Sequence, residues 1–135
     1  MAKTEHRDFG APDEIRGFDH GQAEILDMDS GIIGRLVLNP GWRWSVDVKP
    51  VAGTGWCEAP HFMYHASGTL HVQMQDGEEF EVGPGAVTYL PSGHDAWVVG
   101  DEPVTLVDWY GSKHYAERSS MRTTDGTWPK PAPSG

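Results

Sequence analysis

The residues best suited to chemistry are one cysteine and two histidines, Cys57, His61 and His94. A thiolate and two imidazole nitrogens with one open position suit Zn2+, and less well Fe2+ or Ni2+. Cys57 and His61 stand four residues apart across a junction from loop to strand, so both side chains can turn into one mouth. His94 follows the turn Pro91-Ser92-Gly93 and opens the next strand, where a side chain is held at a sheet rim with little freedom. Each residue also has a plainer reading. A lone thiol is often simply buried, His61 can donate to a backbone carbonyl, and His94-Asp95 can cap a turn. His65 shares strand parity with His61 and is read as a partner of the ligands, a pocket acid/base or a core histidine. Tyr89 is a second candidate proton carrier. A nucleophilic Cys57 with His61 as its base is a third chemistry, but no oxyanion-stabilising motif accompanies it.

Short strands must position these residues. The stretch 83–97, GPGAVTYLPSGHDAW, reads as turn, strand, turn, strand. Asp76-Gly77 is the strongest hairpin signal, flanked by alternation that puts Leu70, Val72, Met74, Phe80 and Val82 inside and Glu79 and Glu81 outside. Residues 23–28 read as an edge strand, and 31–38, 62–66, 86–90 and 104–110 as further strands. Residues 42–48 alternate as well, with Trp42, Trp44, Val46 and Val48 on one face, either packing a core or lining a pocket. Residues 49–60 read as a loop. Residues 1–22 are expected as an N-terminal arm, 23–111 as one β-barrel domain, and 112–135 as an extension with a short helix near 113–118 and a Pro-rich tail. His6, His20, His71 and His114 are expected to be solvated, and Tyr64 to be structural.

Composition narrows the partners. The 135 residues hold 17 Gly and 10 Pro, which favours many turns and short strands over long helices. Lys plus Arg number 10 against 20 Asp plus Glu, a formal net charge of -10 that repels nucleic-acid phosphates and anionic lipid. A single cysteine permits no intrachain disulfide and suits a reducing compartment, so a cytoplasmic location is expected. No run approaches membrane-spanning length, and no export signal is read at the N-terminus.

The spacing G-(x)7-P-x-G before a short His-bearing strand resembles the second conserved motif of the cupin superfamily. The fuller wording GWRWS, VKP, SG, HV, DG, GPG and PSGHDAWVVGDEP looks like a subgroup of small cupins, and the likeness spans roughly residues 14–110. It implies an all-β, single-domain antiparallel barrel of the double-stranded β-helix or jelly-roll type. Cupin metal sites usually take three histidines and one glutamate. Anchored on Gly68, those first-motif places fall near Gly55, near Cys57 and on His61, and the second-motif place falls on Ala96. His94 lies two residues earlier, on the same strand face as Ala96. The resemblance therefore implies an altered site, with Cys57, His61 and His94 as metal ligands and a small-molecule ligand in the barrel mouth. Two functions follow from it: a metal-dependent oxygenase or isomerase with His65 or Tyr89 carrying the proton, or a non-catalytic module that senses a small molecule or holds a metal. Cupins commonly pair through edge strands, so a homodimer is expected, with residues 23–38 as a contact.

Overall fold

The computed structural model describes residues 4–109. Nine strands and two short helical turns follow one another: β1 (Glu14–Phe18), β2 (Gly21–Met28), β3 (Gly31–Leu38), α1 (Trp44–Asp47), α2 (Lys49–Ala52), β4 (His61–Ser67), β5 (Thr69–Met74), β6 (Glu79–Val82), β7 (Val87–Leu90), β8 (His94–Val99) and β9 (Val104–Asp108). Every strand pairing is antiparallel, in a six-stranded sheet ordered β1-β2-β3-β9-β4-β7 and a three-stranded sheet ordered β6-β5-β8. The fold is all-β, as the strand spacing predicts.

The Asp76-Gly77 hairpin forms with Leu70 opposite Val82 and Val72 opposite Phe80. Leu70, Val72 and Met74 are buried, and Phe80 and Val82 pack against the same core. The inward faces of both sheets supply that core: Leu36, Leu38, Met63 and Leu106 from the larger, Leu70, Val72, Ala96 and Val98 from the smaller. Burying this apolar area, at about 25 cal/mol per Å2, holds the sheets face to face.

Two glycines are required by geometry near the site. Gly68, between β4 and β5, has φ 77°, and a Cβ there would sit 2.4 Å from the Pro103 carbonyl oxygen. Gly93 has φ 93°, and a Cβ there would meet the Gln75 side chain at 2.7 Å. Any L-residue at either place would be strained by its backbone and crowded by its neighbour.

Four expectations change. Residues 42–48 are not one strand: Arg43 is extended and bridges Trp97, and the chain then turns into α1. The turn closes because the Asp47 carboxylate accepts the Arg43 backbone N–H at 2.9 Å, and the buried Asp95 carboxylate accepts that of Ser45 at 3.1 Å. Trp44 and Val48 then face inward one helical turn apart, while Val46 is 64% exposed. The region expected as a loop, 49–60, begins with α2, whose proline sits in the first turn where a missing N–H costs nothing. The stretch expected as an arm contains β1, which pairs along its whole length with β2. β2 is therefore an inner strand over residues 21–25 rather than an edge, and β3 pairs with β9 over residues 34–38, so within 23–38 an open edge is left only toward the tip of the β2–β3 hairpin. The helix expected near 113–118, the tail and His114 lie outside the described residues.

Candidate metal centre

Cys57, His61 and His94 come from three separate elements and meet between the sheets, each about 3% exposed. One donor atom from each lies within 4.8 Å of the others. Cys57 ends the loop after α2, and its backbone exchanges hydrogen bonds with His94: the Cys57 N–H donates to the His94 carbonyl at 2.8 Å, and the His94 N–H donates back at 3.4 Å. The Gly93 N–H adds a third bond to the Cys57 carbonyl at 2.8 Å. His61 is the first residue of β4, and its inward position follows from the alternation His61, Met63, His65 in, Phe62, Tyr64 out.

Each imidazole is oriented by an acceptor on Nδ1. His61 Nδ1–H donates to Asp108 Oδ2 at 2.5 Å, and the other Asp108 oxygen accepts the Phe62 backbone N–H at 3.2 Å. His94 Nδ1–H donates to the Pro91 carbonyl at 2.9 Å. His61 therefore turns Nε2 toward Cys57 Sγ, 3.7 Å away, and Nε2 is the nitrogen that His94 has to offer. A tetrahedral Zn2+ with ordinary Zn–S and Zn–N bonds separates S from N by about 3.6 Å and N from N by about 3.3 Å. Donor types, the 3.7 Å between Cys57 Sγ and His61 Nε2 and the carboxylate behind His61 suit a divalent metal with one position left over, though the set as a whole spans up to 4.8 Å and would have to draw together around it.

Burial and charge act against each other here. Burial pushes the Cys57 thiol up, but hydrogen bonds and charge from His61 and His94 outweigh it and bring the thiol to about 6. Burial likewise disfavours the His61 imidazolium, but Asp108 and Cys57 outweigh it and raise His61 to about 10. Near neutral pH the pair is a thiolate facing an imidazolium, and a metal that takes both must displace the His61 proton.

The trio borders a cavity of about 20 Å3. One water needs about 10–15 Å3, so the space as it stands is about water-sized. Its walls are aliphatic, from Leu36, Leu38, Met63, Leu70, Leu90 and Leu106, and are completed by Ala96, Trp42 and Trp44. The two tryptophans both pack the core and line the pocket, and His94 and Ala96 share it as their parity requires. The Trp42 backbone is tied at both ends, its N–H donating to Asn39 at 3.0 Å and its carbonyl accepting from Val98 at 3.0 Å. Its indole Nε1 is buried with no hydrogen-bond partner among the described residues, a condition that costs about 1–3 kcal/mol.

The expected proton carriers are not brought to this cavity. His65 is 1% exposed and Nε2 pairs with the Thr88 hydroxyl at 2.9 Å, while burial holds its imidazolium below the usual range. Tyr89 is 61% exposed on the outer face, opposite Phe62 in the β4–β7 pairing. Tyr64 is exposed on that same outer face. His20 is half exposed but bonds Asp47 at 3.0 Å, and His71 is held between Glu79 and Glu81. Sequence reasoning missed Asp108 and did not single out Trp42 as a donor. The signal for Asp108 was present: Val104, Leu106 and Asp108 share the core-facing parity of β9, and a carboxylate there needs a partner.

No family model and no curated protein sequence matches the chain. Solved structures do. An oxalate decarboxylase from Lactobacillus farciminis, determined as a formate complex, superposes with a TM-score of 0.55 at 17% identity over 73% of this chain. A Bacillus subtilis oxalate decarboxylase variant gives 0.54 at 20% identity over 76%. The fold is that of the cupins. The chain spans only 30% and 28% of those two chains. A protein of unknown function from Acinetobacter sp. ADP1 is matched over 90% of its own length, with a TM-score of 0.51 at 16% identity. At these identities the likeness concerns the barrel, and the altered donor set is a property of this chain. Among the described residues no helix is long and apolar enough to cross a membrane.

Proposed function

We propose that this cupin barrel binds one divalent metal, Zn2+ before Fe2+ or Ni2+, through Cys57 Sγ and the Nε2 atoms of His61 and His94, and holds a small ligand beside it. The observation that carries the reading is the pinning of both imidazoles at Nδ1, by Asp108 and by the Pro91 carbonyl, so that the two rings meet the thiol with their other nitrogens. A core histidine that only packs also needs an acceptor for its N–H, but not a thiol and a second ring within reach of its other nitrogen. A metal bound there supplies a Lewis-acid centre with an open position. The chain's own residues do the rest: Asp108 fixes the His61 tautomer, the leucine walls exclude bulk water, and Cys57 contributes a charge that tightens metal binding.

Binding or sensing is better supported than turnover. Oxygenase or isomerase chemistry calls for a proton carrier in the cavity, and His65 and Tyr89, the candidates for it, stand outside its walls. Turnover remains the second reading, favoured by the oxalate decarboxylase with formate bound among the structural neighbours. Elemental analysis of protein purified without a metal-affinity tag tests the first. One zinc per chain, lost in Cys57→Ala, His61→Ala and His94→Ala, is the expected result, and metal-free protein that takes up none on titration would refute it. Oxygen uptake or product formation from small carboxylates by the metal-loaded protein would promote the second reading.

A further inference from the structure

Every residue lining the cavity beside Cys57, His61 and His94 is at most 5% exposed, so a wall must move before anything enters or leaves. Most of the wall cannot move without parting a sheet. Leu36 and Leu38 lie in β3, Leu70 in β5, Leu90 in β7, Ala96 in β8 and Leu106 in β9, and all these strands are paired. Only Trp42, Trp44 and Cys57 line the cavity from outside the strands. Cys57 is tied to Gly93 and His94 by three main-chain hydrogen bonds, and Trp42 to Val98 by one. Trp44 belongs to α1, and among the described residues no main-chain group of α1 bonds the main chain of either sheet.

Two carboxylates fasten α1 instead. Asp95, on β8 of the smaller sheet, accepts the Ser45 N–H at 3.1 Å. Asp47, in α1 itself, accepts from His20 Nδ1–H at 3.0 Å, and among the described residues this is the one hydrogen bond between α1 and the larger sheet's side. His20 stands in the tight turn between β1 and β2 with φ 64°, a left-handed conformation that residues other than glycine seldom adopt. Backbone strain of this kind persists where the side chain has a task. The Asp47 side chain is 3% exposed, and its other oxygen closes α1 on the Arg43 N–H at 2.9 Å. The His20 side chain is 52% exposed, so the fastening can be released from the outside.

We infer that α1 is the entrance to the Cys57–His61–His94 centre and that the His20–Asp47 bond is the latch that keeps it shut. What passes through it, on the metal reading above, is the metal. When the latch parts, α1 swings on its fastening to Asp95 and draws Trp44 off the cavity, and neither strand ladder is disturbed. A latch of this kind acts on rates rather than on affinity. It holds the closed form whether the centre is filled or empty, so removing it speeds entry and exit by the same factor.

Alkylation of Cys57 by iodoacetamide in metal-free protein, followed by mass across a series of low urea concentrations, tests the latch without any metal. His20→Gly is the variant, because it deletes the ring while relieving the backbone, so the turn between β1 and β2 is kept. Opening at α1 exposes little surface and responds weakly to urea, whereas global unfolding follows the full urea slope. The expected result is a urea-insensitive rate in the wild type that rises about tenfold in His20→Gly, as for a lost hydrogen bond to a charged group, with the urea midpoint of global unfolding no lower. In Zn2+-loaded protein at saturating chelator, zinc release should quicken about tenfold in His20→Gly while the dissociation constant stays within about twofold. Equal alkylation rates in the two proteins, or a wild-type rate that tracks the global urea slope throughout, would overturn the latch and leave the metal reading standing. So would a loss of zinc affinity as large as the gain in release rate. Protein that takes up no zinc would overturn the metal reading, and the alkylation rates would still decide the latch.

Discussion

Two of the histidines that bond carboxylates in this barrel, His61 and His71, do opposite things. His61 sits between the sheets with Nδ1 on Asp108 and Nε2 facing Cys57. His71 sits on the outer face of the small sheet, stacked on Trp97 at 4.4 Å between ring centroids, with Nδ1 bonded to Glu81 at 3.0 Å and Nε2 to Glu79 at 2.8 Å. The Arg43 guanidinium also lies over the Trp97 ring, 4.1 Å from its centroid. His71 has both nitrogens committed to carboxylates in a surface network, which raise its pKa above the ordinary imidazole value. His61 has one nitrogen fixed by a carboxylate and the other set against a thiol, which is how a metal ligand is held. What separates them is the partner on the second nitrogen and the burial that makes that partner count.

The largest effect that can break this comparison is metal-dependent stability. With zinc at about a thousandfold over its dissociation constant, wild type should gain about 4 kcal/mol over chelator-treated protein. Cys57→Ala, His61→Ala and His94→Ala should each lose most of that gain, while His71→Ala keeps it, in paired thermal melts with and without zinc. Variants equally destabilised in both conditions would mean that the three residues only pack.

Next comes Asp108→Asn, which removes the charge that orients His61 while keeping its shape. Metal affinity measured against a chromophoric chelator should fall about ten- to hundredfold. An unchanged affinity would show that the carboxylate holds β9 to β4 and does nothing for the ring.

The pH dependence is a smaller and more specific effect. The raised His61 value, about 10, gives the metal-free protein stability that is full below about 6.5 and lost as pH rises through 10. The lowered Cys57 value, about 6, gives stability that is full above 9.0 and lost as pH falls through 6. Their sum is greatest between about 6.5 and 9, and Cys57→Ser should flatten the acid side of that maximum in chemical denaturation. Zinc uptake near pH 7.5 should release about one proton, from His61, measured in buffers of different ionisation heat. A proton count of zero would contradict the thiolate–imidazolium pair.

The smallest effect belongs to the surface histidine. Its raised pKa, caused by Glu79 and then Glu81, contributes stability below about 6.5 that fades as pH rises through the folded value. Being exposed to salt, His71→Gln should change stability by about 0.5 kcal/mol or less, and by less still in 1 M salt. A change as large as that of His61→Ala would erase the distinction.

Much of this was legible in the sequence, for identifiable reasons. The Asp76-Gly77 hairpin and the pattern Leu70, Val72, Met74 are local, and a local pattern needs no knowledge of what lies opposite. Cys57, His61 and His94 were picked out by residue type and turn position. Residues 42–48 misled because Trp44 and Val48 satisfy a period of two and the one-turn spacing of a helix alike, and the carboxylates of Asp47 and Asp95 decided between them. Asp108 is 47 positions from His61, so only the sheet order, which sets β9 beside β4, brings the pair together. The unpartnered Trp42 nitrogen depends on the packing of every neighbour around it.

The backbone rung between Cys57 and His94 has a consequence in time rather than in affinity. Two of the three donors belong to residues that exchange main-chain hydrogen bonds, so their backbones separate only when that rung parts. Any release that needs those two backbones to part is no faster than the opening of that rung. The exchange rate of the Cys57 amide hydrogen is therefore a clock for release by that route.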